Sequence, residues 1–208
     1  MLDGSAAAVV AVELDARAVL ALEELKGVYP GRLTVLEADA TRADLAGLVP
    51  APRQVVANLP YNVATPLLIG WLRQASRWER LTLMFQLEVA ERVAATPGTE
   101  AYGRLAVLAG WTCETTLHLR LPPAAFTPPP KVWSAVVGLT PRPEQPPAEL
   151  FAAMERLTAA AFGQRRKMLR GALRSLGGEA LLERAGIAPE RRAETLSIEE
   201  FDRLVRLL

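Results

Sequence analysis

Residues 54–62 read "QVVANLPYN": a short apolar run, then an asparagine, a leucine, a proline and a tyrosine. The run has the length and aliphatic content of a buried strand, and it is the third of its kind. "AVVAVELD" (8–15) carries Glu13 and Asp15 at its end, and "RLTVLEADA" (32–40) leads to Asp39. Between these two, Leu20 to Leu25 has helical spacing until "YPG" (29–31) breaks it. Aliphatic runs separated by helix-sized segments are what a parallel sheet covered on both faces requires, so an open α/β sheet is expected. Ligands in such sheets collect outside the carboxyl ends of the strands. Glu13, Asp39 and Asn58 are therefore candidates for one shared crevice.

An acid at a strand end is often a solvated loop residue or a helix cap. Polar groups at three successive strand ends favour a nucleotide crevice instead. There one carboxylate can accept both ribose hydroxyls, and a carboxylate one strand further can accept from an adenine amine. The pattern points to an adenosine-containing cofactor.

Composition narrows the class. The chain has 208 residues, half of them hydrophobic, with 24 basic and 23 acidic side chains, enough for one or two domains with a sizeable core. One cysteine (Cys113) and one histidine (His118) can build neither an intramolecular disulfide nor a metal cluster. A reducing, cytoplasmic setting is expected, with both residues assigned to packing. No apolar run reaches the roughly 20 residues of a membrane span, and no signal-peptide pattern opens the chain. No internal repeat is visible. The proline cluster from Pro122 to Pro147 divides a βα-patterned part from a helical one.

"NLPYN" then acquires a chemical reading. The exocyclic amine of adenine is a poor nucleophile because its lone pair is delocalised into the ring, so alkylating it requires acceptors that hold and aim it. The Asn58 side-chain carbonyl is one acceptor. Pro60 keeps Leu59 out of the helical region, which can turn the Leu59 carbonyl outward as another. Tyr61 offers a face on which an unstacked base can lie. The plainer reading is a proline-terminated strand with a core tyrosine.

The tail from Leu150 reads as helical. "GQRRKMLRGALR" (163–174) holds five basic residues and no acid, with Phe162, Leu169, Leu173 and Leu176 spaced for one helical face. The basic stripe is either a solvated face or a phosphate grip. Ser197 is a candidate N-cap, with Glu200 at capping-box spacing.

Five segments together carry a resemblance: "NLPYN" (58–62), "EVAERVAATPGTEAYGRLAVLA" (88–109), "PPAAFTPPPKVWSAVV" (122–137), "AFGQRRKMLRGAL" (161–173) and "RRAETLSIEEFDRL" (191–204). In this order they resemble the bacterial small-subunit ribosomal RNA adenine dimethyltransferase family, from about Val9 to Leu208. Leu87 and Trp133 depart from its usual pattern. The resemblance implies a Rossmann-like methyltransferase sheet over residues 1–142, incomplete at its N-terminus, and a small all-helical RNA-contacting domain over 143–208. It implies dimethylation of adenine amines near the 3′ end of 16S ribosomal RNA, with S-adenosylmethionine as cofactor, by a monomeric chain without metal or membrane association. Glu13 would bind the cofactor ribose and Asp39 its adenine, with Asn58 bordering the same site. Asn58, Leu59 and Pro60 would present the acceptors for the target amine, and Tyr61 and Phe126 would sandwich its base. Arg165, Arg166, Lys167, Arg170 and Arg174 would meet RNA. The alternatives are a related RNA or DNA adenine methyltransferase and a ribosome-assembly factor that binds RNA without methylating it. The glycine-rich turn usual in such crevices is not found after Met1. By resemblance it lies upstream, so residues 1–208 alone are expected to bind cofactor weakly.

Overall fold

A computed structural model of the protein describes residues 2–4, 6–60, 62–164 and 166–208. Close contacts divide the chain into two compact units, Met1–Arg53 and Gln54–Leu208.

In the first unit, β1 (Val9–Glu13) is followed by α1 (Ala16–Val28) and β2 (Leu33–Glu37). The strands pair in parallel, with Val9 opposite Leu33 and Glu13 opposite Glu37. Asp15 caps α1 by accepting from the Arg17 N–H at 2.9 Å, satisfying one of the orphan donors of the first turn. Burial here is shallow. Among the described residues of this unit only Leu33 and Ala46 are buried, and Leu20 and Val28 of α1 are exposed.

The second unit opens with the expected third strand, β3 (Gln54–Asn58), followed by α2 (Ala64–Arg73) and β4 (Arg80–Gln86). Then come α3 (Leu87–Val93), α4 (Arg104–Thr112), β5 (Cys113–Leu121) and β6 (Ser134–Pro141). Its sheet has the order β3-β4-β6-β5. The parallel expectation holds for β1 with β2 and for β3 with β4, whereas β6 runs antiparallel to both its neighbours. β3 is the edge strand of this sheet, with Val56 exposed, so it alternates instead of being covered on both faces. The deepest packing lies one and two strands inward. Leu81, Leu83 and Phe85 of β4 and Ala135, Val137 and Leu139 of β6 are buried. β4, which no quoted motif marked as a strand, is thus the strand around which this unit is built.

The C-terminal helices are α5 (Phe151–Phe162), α6 (Leu169–Ala172), α7 (Gly178–Arg184) and α8 (Ile198–Val205). α5 and α8 pack on α4. Glu155 of α5 receives Arg73 at 2.7 Å and Arg104 at 3.2 Å, and the Trp111 indole N–H donates to Asp202 at 2.9 Å. The Phe162 ring stacks on Phe201 with centroids 5.7 Å apart. Ser197 caps α8, and its capping box with Glu200 is complete.

The basic segment departs from the single helical face expected of it. α5 ends at Phe162, and α6 begins at Leu169. The reason is tertiary: the Leu169 and Arg170 N–H groups donate to the Arg191 and Pro189 carbonyls at 2.8 and 3.1 Å, which ends any continuous helical ladder there. Cys113 is buried, and its burial pushes the thiol up to about 11. His118 is exposed on a bulged stretch of β5, its ring lying over Gly138, where a Cβ would stand 2.3 Å from Nε2. Among the described residues no helix is long and apolar enough to cross a membrane, and no three metal-binding side chains form a group.

Candidate functional site

In the first unit, Glu13 and Asp39 stand at the same end of the β1–β2 pair. Glu13 closes β1, and the Ala38 N–H donates to its carbonyl at 3.0 Å. Asp39 lies two residues beyond the end of β2, because an Asx turn stops the strand at Glu37: Oδ1 accepts the Thr41 N–H at 2.8 Å and its hydroxyl at 2.6 Å. These two bonds hold the Asp39 carboxyl below the usual carboxylate range. Glu13 Oε1 likewise accepts two hydrogen bonds, from the Leu14 and Asp15 N–H groups at 2.7 and 2.9 Å. Each acid therefore commits one oxygen to its own loop. Among the described residues Glu13 Oε2 and Asp39 Oδ2 accept no hydrogen bond. Two half-used carboxylates at the carboxyl end of a parallel pair suit the hydroxyls of a ribose and an amine of a purine.

In the second unit, Asn58 ends β3 with an exposed side chain that makes no hydrogen bond to any described residue. Leu59 is anchored from two sides, by a buried side chain and by its N–H, which donates to the Met84 carbonyl at 3.3 Å. The Pro60 carbonyl accepts from Val63 and Ala64 at 3.1 and 3.0 Å and so starts α2. Between these ties the Leu59 carbonyl accepts no hydrogen bond from a described donor. Two acceptors, an amide oxygen and a backbone carbonyl, thus stand unpaired on consecutive residues whose backbone is fixed. Tyr61 lies outside the described residues.

The strand directions bring further residues to this edge. β3 and β4 end beside each other, with Asn58 opposite Met84, and Ser134 at the start of β6 is opposite both Gln86 and Leu121. The whole β5–β6 connection, residues 122–133, is therefore on the edge where β3 ends. Phe126 sits there half-buried, just after a turn of 3-10 helix at Pro123–Ala125, with its N–H donating to the Pro123 carbonyl at 3.1 Å. Lys131, quoted only as part of a motif in the sequence, is exposed on this edge and has no partner among the described residues. Its signal was a lone cation between prolines and a tryptophan.

The basic segment splits in its detail. Arg165 lies outside the described residues. Arg166, Lys167 and Arg174 are exposed without an ion-pair partner among the described residues, whereas Arg170 lies 3.8 Å from Glu190, both half-exposed.

The family model "Ribosomal RNA adenine dimethylase" matches residues 2–208. The chain belongs to the ribosomal RNA adenine dimethylase family. A protein named ribosomal RNA small subunit methyltransferase A from Gluconobacter oxydans is 64% identical over 207 residues, covering 100% of this chain and 68% of that relative. One of the same name from Rhodospirillum rubrum is 54% identical, covering 99% and 72%. Among solved structures, a dimethyladenosine transferase from Plasmodium falciparum superposes with a TM-score of 0.79 at 25% identity, over 95% of this chain and 80% of that one. The 23S ribosomal RNA methyltransferase ErmE shares the fold, with a TM-score of 0.69 over 97% and 82%. The adenine dimethylase family is one of methyltransferase enzymes with a Rossmann-like sheet, and membership implies S-adenosylmethionine as methyl donor.

Proposed function

We propose that this chain dimethylates the exocyclic amines of adenines near the 3′ end of small-subunit ribosomal RNA, in the cytoplasm, with S-adenosylmethionine as donor. The observation that carries the reading is the pair of unpaired acceptors on Asn58 and Leu59, held on a fixed backbone at the end of a strand. The Asn58 side-chain oxygen and the Leu59 carbonyl accept the two N–H bonds of the target amine. In that grip the nitrogen lone pair is turned out of conjugation with the ring and towards the donor. Neither group is basic, so both only hold the N–H bonds; the nitrogen that gains a methyl becomes cationic and acidic and gives up one proton to water. Tyr61 and Phe126 stack the extruded base, a contact worth roughly 1–3 kcal/mol per base. Once one methyl is added the Leu59 carbonyl can still hold the remaining N–H, which keeps the amine aimed for a second transfer.

The oxygens of Glu13 and Asp39 that accept no hydrogen bond among the described residues suit the cofactor's ribose and adenine. When bound, S-adenosylmethionine supplies an electrophilic sulfonium methyl. The residues from 143 onward, with Arg166, Lys167, Arg170, Arg174 and Arg165 in their basic segment, contact RNA phosphates, which fix the register of the substrate without reading its sequence.

The test measures transfer of labelled methyl from saturating S-adenosylmethionine to immature small subunits, beside a binding assay on the same particles. Label in the RNA supports the enzyme. Tight binding without label would make the chain an RNA-binding assembly factor.

A further inference from the structure

Of the four tryptophans, Trp71, Trp78 and Trp111 are buried, at 5–7% exposure, and Trp133 is 47% exposed. Its neighbour Val132 is exposed as well. Exposure of a large ring beside a second apolar residue calls for an account, because surfaces of this kind mark binding sites more often than chance. Among the described residues the Trp133 indole N–H donates no hydrogen bond and its ring stacks on no other ring, unlike Trp111 with its bond to Asp202. The backbone is not loose. The Trp133 carbonyl accepts the Leu87 N–H at 2.8 Å, and the next residue enters the buried strand β6. A rigid mount thus presents an unused ring.

Register fixes where that ring is. Asn58 is level with Met84 on β4, and Trp133 is level with Leu87, three residues further along and one more strand across. Two strand spacings and three residues of rise put the Trp133 backbone roughly 14 Å from that of Asn58, on the same sheet edge. A single strand whose target base occupies Asn58 must cross this edge in one direction or another. The Lys131 ammonium, without a partner among the described residues, stands two residues from the ring, positioned for a phosphate.

We infer that Trp133 is a stacking platform for an unpaired nucleotide flanking the target adenine, with Lys131 on the adjoining phosphate. The inference rests on the proposed RNA substrate and adds a substrate-positioning residue to it. Stacking is sequence-tolerant, because every base has a π-face, so the platform holds the strand in line without choosing a base. It acts on RNA affinity and not on the reacting amine. An alternative occupant, a ribosomal protein, would use the same exposed ring but would not respond to naked RNA.

The experiment titrates the full chain with a single-stranded RNA oligonucleotide of the small-subunit 3′ end, and with immature small subunits, at two salt concentrations. Trp133→Ala should weaken binding to the oligonucleotide about five-fold or more, while Trp133→Phe, which keeps a ring, should lose much less. Lys131→Ala should lower the salt slope by about one counterion. Methyl transfer by Trp133→Ala should show a raised KM for RNA with kcat retained. Because the ring is exposed and the Leu87 bond uses only the backbone, all three variants should fold, checked by circular dichroism. Unchanged oligonucleotide binding by Trp133→Ala, with the unsubstituted chain binding and methylating, would overturn the platform and leave the proposed function standing. Loss confined to the intact particles would assign the ring to a protein contact and also overturn it. Failure of the unsubstituted chain to bind RNA at all would remove the substrate reading and the platform together.

Discussion

At the scale of single residues the chemistry reduces to which oxygens the fold leaves unused. Asn58 and Leu59 offer two, and the bonds around them explain why: the Leu59 N–H and side chain are committed to β4 and the core, and Pro60 starts the next helix. Asn58→Ala should therefore lower kcat about 100-fold, the order of loss seen when one pre-organised hydrogen-bonding group is removed from a reacting centre. Its side chain is exposed and has no hydrogen-bond partner among the described residues, so the melting temperature should hardly move. Parallel kinetics and thermal melts check this, and a kcat near that of the parent would remove Asn58 from the reacting centre. The sequence showed these residue types and their order plainly. It did not show that Glu13 and Asp39 each spend one oxygen on their own loops, since that depends on how the local turns close, by backbone N–H groups and, at Asp39, also by the Thr41 hydroxyl.

Elements differ in how firmly they are held. β1 and β2 bury little among their described residues, while β4 and β6 carry the deepest side chains of the second unit. Amides of β1 and β2 should exchange with solvent at least about ten-fold faster than those of β4 and β6, because opening free energy follows buried apolar contact. Hydrogen exchange read by mass spectrometry decides it, and equal protection would contradict the ranking. The helical tail is pinned differently. Ser197 and Glu200 cap each other's backbone, and Arg191 pairs with Glu200 at 2.5 Å. Ser197→Ala should cost about 1 kcal/mol in chemical denaturation. The hydrogen bond from Arg191 holds the Glu200 carboxyl below its ordinary value. A depressed carboxylate stabilises the fold above its unfolded pKa, about 4.3, and this contribution is lost as the pH falls through the folded value. Glu200→Gln should flatten the acid limb of the stability profile. Aliphatic runs made β1, β2 and β3 legible, and the capping box was legible from its spacing alone. The break between α5 and α6 was not, because the hydrophobic spacing runs on through Leu169, Leu173 and Leu176 while the backbone is captured by the distant carbonyls of Pro189 and Arg191.

Across the whole molecule, net charge is close to zero, with 24 basic against 23 acidic residues, so affinity for RNA has to come from where the unpaired cations stand. Among the described residues Arg166, Lys167 and Arg174 are such cations, while Arg170 is near Glu190. Arg166→Ala and Arg174→Ala should each reduce the salt slope of particle binding by about one counterion and leave the response to S-adenosylmethionine alone, with Arg170→Ala showing less. An unchanged slope would mark that arginine as merely solvated. Fold class and family were readable from motif order. Pairing of β6 against its neighbours, which carries Phe126, Lys131 and Trp133 to the edge where Asn58 stands, was not, because it is set by long-range register. The central claim is that the acceptors on that edge serve an adenine amine of small-subunit RNA. The most direct measurement incubates unmethylated small subunits with the protein and saturating S-adenosylmethionine, then digests the RNA and maps modified nucleosides by mass spectrometry. The account predicts N6,N6-dimethyladenosine confined to fragments from the 3′ end of the small-subunit RNA and absent with Asn58→Ala at matched times; unmodified RNA on particles that the protein binds, or methyl groups on another base, would contradict it.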